Sequence, residues 1–201
     1  VDYQIPDRIK DGYGINIEII KKAYEDGVDT IITCDNGISA AEQVQYAKEI
    51  GLTVIITDHH DIPEVLPNAD AIVNPKQSDC NYPFDGLCGA GVVFKLAKWL
   101  YNQHGIRQEI EGYLQYIAVA TVCDVMELVD ENRILVKLGL ERLKNTDNFG
   151  LTELMEITKV NKEKLSTYYL GYIIGSCLNV TVCLESVKRG IELLMASSKE
   201  E

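Results

Sequence analysis

Nothing in this sequence of 201 residues is at once long, apolar and free of charge. Its continuous apolar runs reach only the length of a strand, which excludes a membrane-spanning helix of about 20 residues. Val1 to Lys10 holds Asp2, Pro6, Asp7 and Arg8 where the apolar centre of a secretory leader would stand, so no signal peptide is expected. An initiator methionine is lacking too, and the expectation is that sequence upstream is missing. No C-x-x-C pair occurs among the six cysteines (Cys34, Cys80, Cys88, Cys123, Cys177 and Cys183), and their spacing gives no compact disulfide framework. Reduced thiols of a cytoplasmic protein are expected instead. Repeats, low-complexity stretches and long linkers are absent. Positive charge is scarce: 19 Lys and Arg against 31 Asp and Glu leave a net charge of −12. That balance by itself argues against nucleic acid, whose phosphates are met by Lys and Arg. Carboxylates committed to metal ions, or basic surface gathered elsewhere, would offset it.

What is present is ordinary for a soluble globular protein, with 46% apolar and 25% charged residues. The length allows one full α/β domain and an extra helical part. Ile17, Ile19, Ile20, Ala23 and Tyr24 fall at helical spacing between Asn16 and Gly27. Thr30-Ile31-Ile32-Thr33 and Thr53-Val54-Ile55-Ile56-Thr57 read as buried strands rich in β-branched residues. Between them a helix from Ala40 to Ile50 is expected, with Ser39 as its cap and Glu42 completing a capping box. Two such strands around a helix make a parallel β-α-β unit in a sheet covered on both faces. A proline-rich stretch from Ile62 to Pro83 surrounds one short strand at Ala71-Ile72-Val73. The rest is helical, over Val92 to His104, Ile110 to Ala120, Arg133 to Leu143, Leu151 to Ile157, Lys164 to Ile174 and Leu184 to Ser197. The fold expected is thus α/β, a doubly wound parallel sheet over residues 1–145 followed by a helical extension over 146–201.

Chemistry gathers where these strands stop. Asp35 follows the first, and Asp58-His59-His60-Asp61 follows the second, so both groups sit at the carboxyl edge where open α/β sheets bind ligands. A lone Asp there also serves as a turn or cap residue. Two adjacent histidines flanked by carboxylates fit a ligand set for Mn, Zn or Fe better than a structural role. Neighbours on an extended chain project differently, so only one of the two is expected to ligate a given ion. Asp124 ends the apolar run Ala118-Val119-Ala120-Thr121-Val122-Cys123, where a carboxylate must be paired, metal-bound or open to water. Cys88-Gly89-Ala90-Gly91 opens a helix whose N–H groups could face an anion, although close helix packing would use the same glycines. Cys34 and Cys123 each precede one of these aspartates, and read as small buried hydrophobes.

Asp58-His59-His60 resembles the signature after which the DHH phosphoesterases are named, and Thr33-Cys34-Asp35-Asn36-Gly37 resembles the motif that precedes it. Tyr3-Gln4-Ile5-Pro6-Asp7-Arg8 with Gly12-Tyr13-Gly14, Cys88-Gly89-Ala90-Gly91-Val92, Asp124-Val125-Met126 and Asn132-Arg133 are similar, in order and spacing, to the RecJ branch of that superfamily. The resemblance covers nearly the whole chain. It implies hydrolysis of phosphodiester bonds by two divalent ions, Mn(II) or Mg(II), that activate water and stabilise the displacement at phosphorus. Asp35 would bridge the ions, and His59 and Asp124 would complete one of them. His60 would hold the scissile phosphate or the leaving oxygen, Asp58 would orient the histidines, and Arg8, Gly89 and Gly91 would meet the substrate. The implied activity is a 5′→3′ single-stranded-DNA exonuclease of DNA repair and recombination, acting on the 5′ end, with a single-stranded-DNA-binding protein as a partner and no membrane. An oligoribonuclease, a cyclic-dinucleotide phosphodiesterase, a pyrophosphatase or a non-catalytic module keeping the fold are the alternatives.

Two departures accompany the resemblance. The first metal motif of these enzymes, an Asp-x-Asp pattern, has no counterpart in the sequence and is expected before Val1. Ile174 to Leu184 looks like an eroded form of a Gly-Pro-rich region with Asn-Ala-x-Gly-Arg, carrying Val182 and Cys183 where Gly and Arg would stand. A DHH-associated domain is expected after Glu201. The chain alone is therefore expected to fold, at least partly, and to show little or no exonuclease activity.

Overall fold

The computed structural model describes residues 1–6, 14–106, 110–184 and 187–198. Two compact units divide the chain, Val1–Leu100 and Tyr101–Glu201. The boundary expected at residue 145 falls inside the second of them. No helix among the described residues is long and apolar enough to cross a membrane.

The first unit opens with α1 (Ile17–Glu25), capped by Asn16, whose side-chain oxygen accepts the Ile19 N–H at 2.9 Å. Next come β1 (Thr30–Ile32), α2 (Ala41–Glu49), β2 (Thr53–Thr57), β3 (Ala71–Val73) and α3 (Gly89–Gln103). The sheet is parallel throughout, in the order β1-β2-β3, with Ile31 opposite Val54 and Ile56 opposite Ile72. One face buries Val54 and Ile56 against Ile20, Val44 and Ala47 of the first two helices, all fully out of contact with water. Each such Val or Ile is worth about 1.5–3 kcal/mol, enough to fix the strand ends that follow. The other face is less complete than expected: Ile32 is 64% exposed. Ser39 does not cap α2, which starts at Ala41 behind Ala40 with no side-chain cap. A more distant group holds this turn, as described below.

The second unit is helical: α4 (Leu114–Cys123), α5 (Asp130–Lys144), α6 (Phe149–Ile157), α7 (Thr167–Tyr169), α8 (Gly175–Leu184) and α9 (Val187–Met195). Short 3-10 turns stand at Ile110–Tyr113 and Lys162–Lys164. A π-helical turn, Leu170–Ile174, joins α7 to α8. The core collects Ala118, Leu143, Leu151, Met155, Leu170 and Ile174, each at most 1% exposed. Apolar content alone drives α4 inward, since Leu114, Ile117, Ala118, Val119 and Thr121 are all buried.

The end of α4 is a Schellman stop. Met126 N–H donates to the Thr121 carbonyl at 3.1 Å and Val125 N–H to that of Val122 at 3.2 Å, with Asp124 as the C-cap residue. The left-handed position belongs to Val125, with φ 55°, where glycine is the usual occupant. A β-branched residue is strained in that region. Val125 is also 86% exposed.

Candidate metal and phosphate site

The ladder of the sheet runs past the strands and brings three chain segments level at its carboxyl edge. Thr33 N–H donates to the Ile55 carbonyl at 2.9 Å, Asp35 N–H to that of Thr57 at 3.0 Å, and Asp58 N–H to that of Val73 at 3.0 Å. Asp35, Asp58 and Asn74 therefore share one edge. Asp35 takes a left-handed backbone, φ 64°, so its side chain leaves the strand direction at once.

Asp58 is the hub. Only 1% exposed, it accepts the Ile38 N–H through Oδ2 at 3.0 Å, and through Oδ1 the N–H of His59 at 2.8 Å, that of His60 at 3.3 Å and His60 Nδ1 at 2.7 Å. Burial pushes its carboxyl upward, but the Ile38 amide, the His60 ring and the two histidine amides outweigh that and leave it below the usual carboxylate range. Ile38 lies in the turn before α2, so this carboxylate fastens the turn that Ser39 was expected to cap.

Both histidine amides donate to Asp58, and the two rings stay neighbours. They lie with centroids 4.6 Å apart and planes tilted by 53°. His59 is inside, 6% exposed, with Nε2 2.9 Å from Asp35 Oδ1. The His60 side chain is 59% exposed, with Nδ1 engaged by Asp58. Among the described residues, ligand atoms of Asp35, His59 and His60 lie within 4.8 Å of one another. Carboxylate with imidazole suits a divalent transition ion, so the donor set fits one.

The start of α3 closes the site from another side. A Cβ added to Gly89 would stand 2.6 Å from Cγ of Asp35, inside contact distance, so only glycine leaves the carboxylate its place. Gly91 is buried and packs toward Leu87 and Cys88. Cys34, expected to be a small buried hydrophobe, is exposed; partial desolvation of its sulfur, with Asp35, Cys88 and Asp58 adding to it, pushes the thiol up to about 11. Asp61 turns away to Lys76, 2.8 Å distant.

Asn74 is a member that sequence reasoning missed. It is 2% exposed; its Nδ2 donates to the His60 carbonyl at 2.9 Å and its Oδ1 accepts the Lys76 N–H at 2.9 Å, which ties β3 to the histidine turn. The signal available was its position, directly after the third short apolar strand. Asp124 stands in the second unit, exposed at the end of α4. Arg8 lies outside the described residues.

Against known proteins, residues 1–121 match the family model described as DHH family, N-terminal domain. The single-stranded-DNA-specific exonuclease RecJ of Bacillus subtilis is 41% identical across 100% of this chain, which spans 25% of that relative. RecJ of Haemophilus influenzae is 38% identical over 98% of the chain and 36% of its own length. The chain thus spans between a quarter and about a third of these curated relatives. A crystal structure of exonuclease RecJ bound to manganese matches with a TM-score of 0.84 at 29% identity, covering 96% of this chain and 48% of that one. The strand-end motifs, the parallel sheet and these matches agree: the chain belongs to the DHH family.

Proposed function

We propose that this chain is the metal-binding part of a single-stranded-DNA exonuclease that hydrolyses phosphodiester bonds from the 5′ end, in DNA repair and recombination. The observation that carries this reading is the cluster of Asp35, His59 and His60 at the carboxyl edge, braced by the buried Asp58. Asp35 and His59, with Asp124 from the second unit, are the ligands in this reading. Mn(II) or Mg(II) held there supplies an activated water and neutralises charge developing at phosphorus.

The rest of the chemistry belongs to the side chains. Asp58 holds His60 through Nδ1, which leaves Nε2 to face outward. In its imidazolium form that nitrogen donates to a phosphate oxygen or gives its proton to the leaving oxygen. His59, packed inside beside Asp35, has no such access. Phosphate is further met by Arg8 and by the N–H groups that open α3 at Gly89 and Gly91. The sequence contains no Asp-x-Asp pattern, and hydrolysis by two ions needs more carboxylates than one cluster offers. This chain by itself is therefore assigned one well-formed ion site and little or no turnover. The partner proposed besides DNA is a single-stranded-DNA-binding protein, and the compartment is the cytoplasm.

Incubation with Mn(II) and single-stranded DNA labelled on its 5′ phosphate tests substrate and polarity together. Little or no release of labelled mononucleotide is expected, and what release there is stops on adding EDTA. Cleavage that persists in EDTA, or that starts from the 3′ end, overturns the reading.

A further inference from the structure

The second unit carries an aromatic surface that the metal site does not use. Tyr168 and Tyr172 stand one turn apart, 59% and 71% exposed, with ring centroids 5.1 Å apart and planes tilted by only 32°. Tyr169, packed against the core, meets Tyr168 edge-on at 5.7 Å, with an interplanar angle of 87°. Exposed apolar side chains are common singly. Two large rings in contact, braced by a third that is packed on the core, form an exposed aromatic platform.

The backbone beneath this platform is fixed. Leu170 and Ile174, at the two ends of the π-helical turn, have no exposure at all. The Cys123 thiol donates to the Leu170 carbonyl at 3.7 Å. Gly175 packs so closely on Cys123 that an added Cβ would overlap its sulfur. The platform is thereby locked to the end of α4, one residue from Asp124. Charge along the segment also differs from that of the chain: from Lys159 to Tyr172 there are three lysines and one glutamate, in a protein with a net charge of −12. Exposed rings in a segment rich in lysine fit the bases and phosphates of a single strand, since every base offers a π-face and the backbone offers charge.

We propose that Tyr168 and Tyr172 are a stacking platform for the bases of single-stranded DNA. The proposal rests on the nuclease reading above. It is tested with the 201-residue chain in EDTA, by fluorescence anisotropy on labelled oligo-dT and on an abasic strand of equal length. The double variant Tyr168→Ala/Tyr172→Ala is expected to bind oligo-dT about 5- to 100-fold more weakly, the range reported by ring removal at stacking sites. The abasic strand, which keeps the phosphates and lacks the bases, is expected to bind both proteins alike. Tyr168→Phe/Tyr172→Phe keeps the rings and their packing, and is expected to retain the affinity of the unaltered chain, which guards against a folding artefact. Equal binding of oligo-dT by the alanine variant overturns the platform alone. So does a variant whose sole change is in self-association, read by ultracentrifugation, since that marks a protein contact. If neither strand binds the unaltered chain, the nucleic-acid reading fails and takes the platform with it.

Discussion

Asp35→Ala is expected to weaken Mn(II) binding by more than about 100-fold, because even the partners behind a ligand are worth about 10- to 100-fold. Asp35 is the carboxylate of the cluster, 2.9 Å from His59 Nε2. Removing it takes away the anionic oxygen next to that imidazole, which a hard divalent ion needs. Calorimetric titration of the chain with Mn(II) measures the loss directly. His60→Ala supplies the contrast: its Nδ1 is engaged by Asp58 and its ring is mostly exposed, so a smaller loss of metal affinity and a larger loss of turnover are expected. Equal loss of Mn(II) affinity in His59→Ala and His60→Ala would sink the division of roles, and unchanged affinity in Asp35→Ala would sink the site.

Asp58→Ala is expected to damage stability and site together. Among the described residues four hydrogen bonds end on this carboxylate, and one donor, Ile38 N–H, is buried in the turn before α2. Leaving a buried donor without an acceptor costs about 1–3 kcal/mol, and loss of the His60 anchor adds about a 10- to 100-fold loss in metal affinity or rate. Urea denaturation and metal titration of the same variant separate the two effects. The pH dependence has a definite sign. The folded carboxyl titrates lower than the unfolded one, so its contribution is complete above the ordinary Asp value of about 4 and fades as pH falls through and below it. Asp58→Asn is expected to flatten the loss of stability on acidification in that window. An unaltered acid profile in Asp58→Asn would show that another group sets it.

The sheet edge was legible because two β-branched runs each stop at acidic or imidazole residues, and strand ends in a parallel sheet must lie side by side. Asp35 and His59-His60 followed from that alone. What lay beyond reach depended on who faces whom. Asn74 shows nothing in sequence until β3 is paired with β2, and Gly89 is one glycine among 15 until α3 is seated on Asp35. Ser39 looked like a cap, yet a carboxylate 20 residues away satisfies Ile38. Residues 175–184 were read as an eroded connection, and they form α8. Their Val180, Thr181 and Val182 disfavour a helix locally, which is why the helix was not expected.

Val125 sets the terms of any attempt to stabilise this protein. In the left-handed position after α4 it carries about 1–2 kcal/mol of backbone cost, and, at 86% exposure, its side chain recovers little by packing. Val125→Gly removes that cost and gives back roughly half through the freer unfolded chain. A gain of a few degrees in the melting temperature, read by calorimetry, is expected. A screen scored on heat resistance alone would therefore accept this change readily. It would do so at the residue that follows the proposed ligand Asp124, where the loosened turn has most to lose. Thermal screening of this chain would thus reward what an assay of metal affinity penalises.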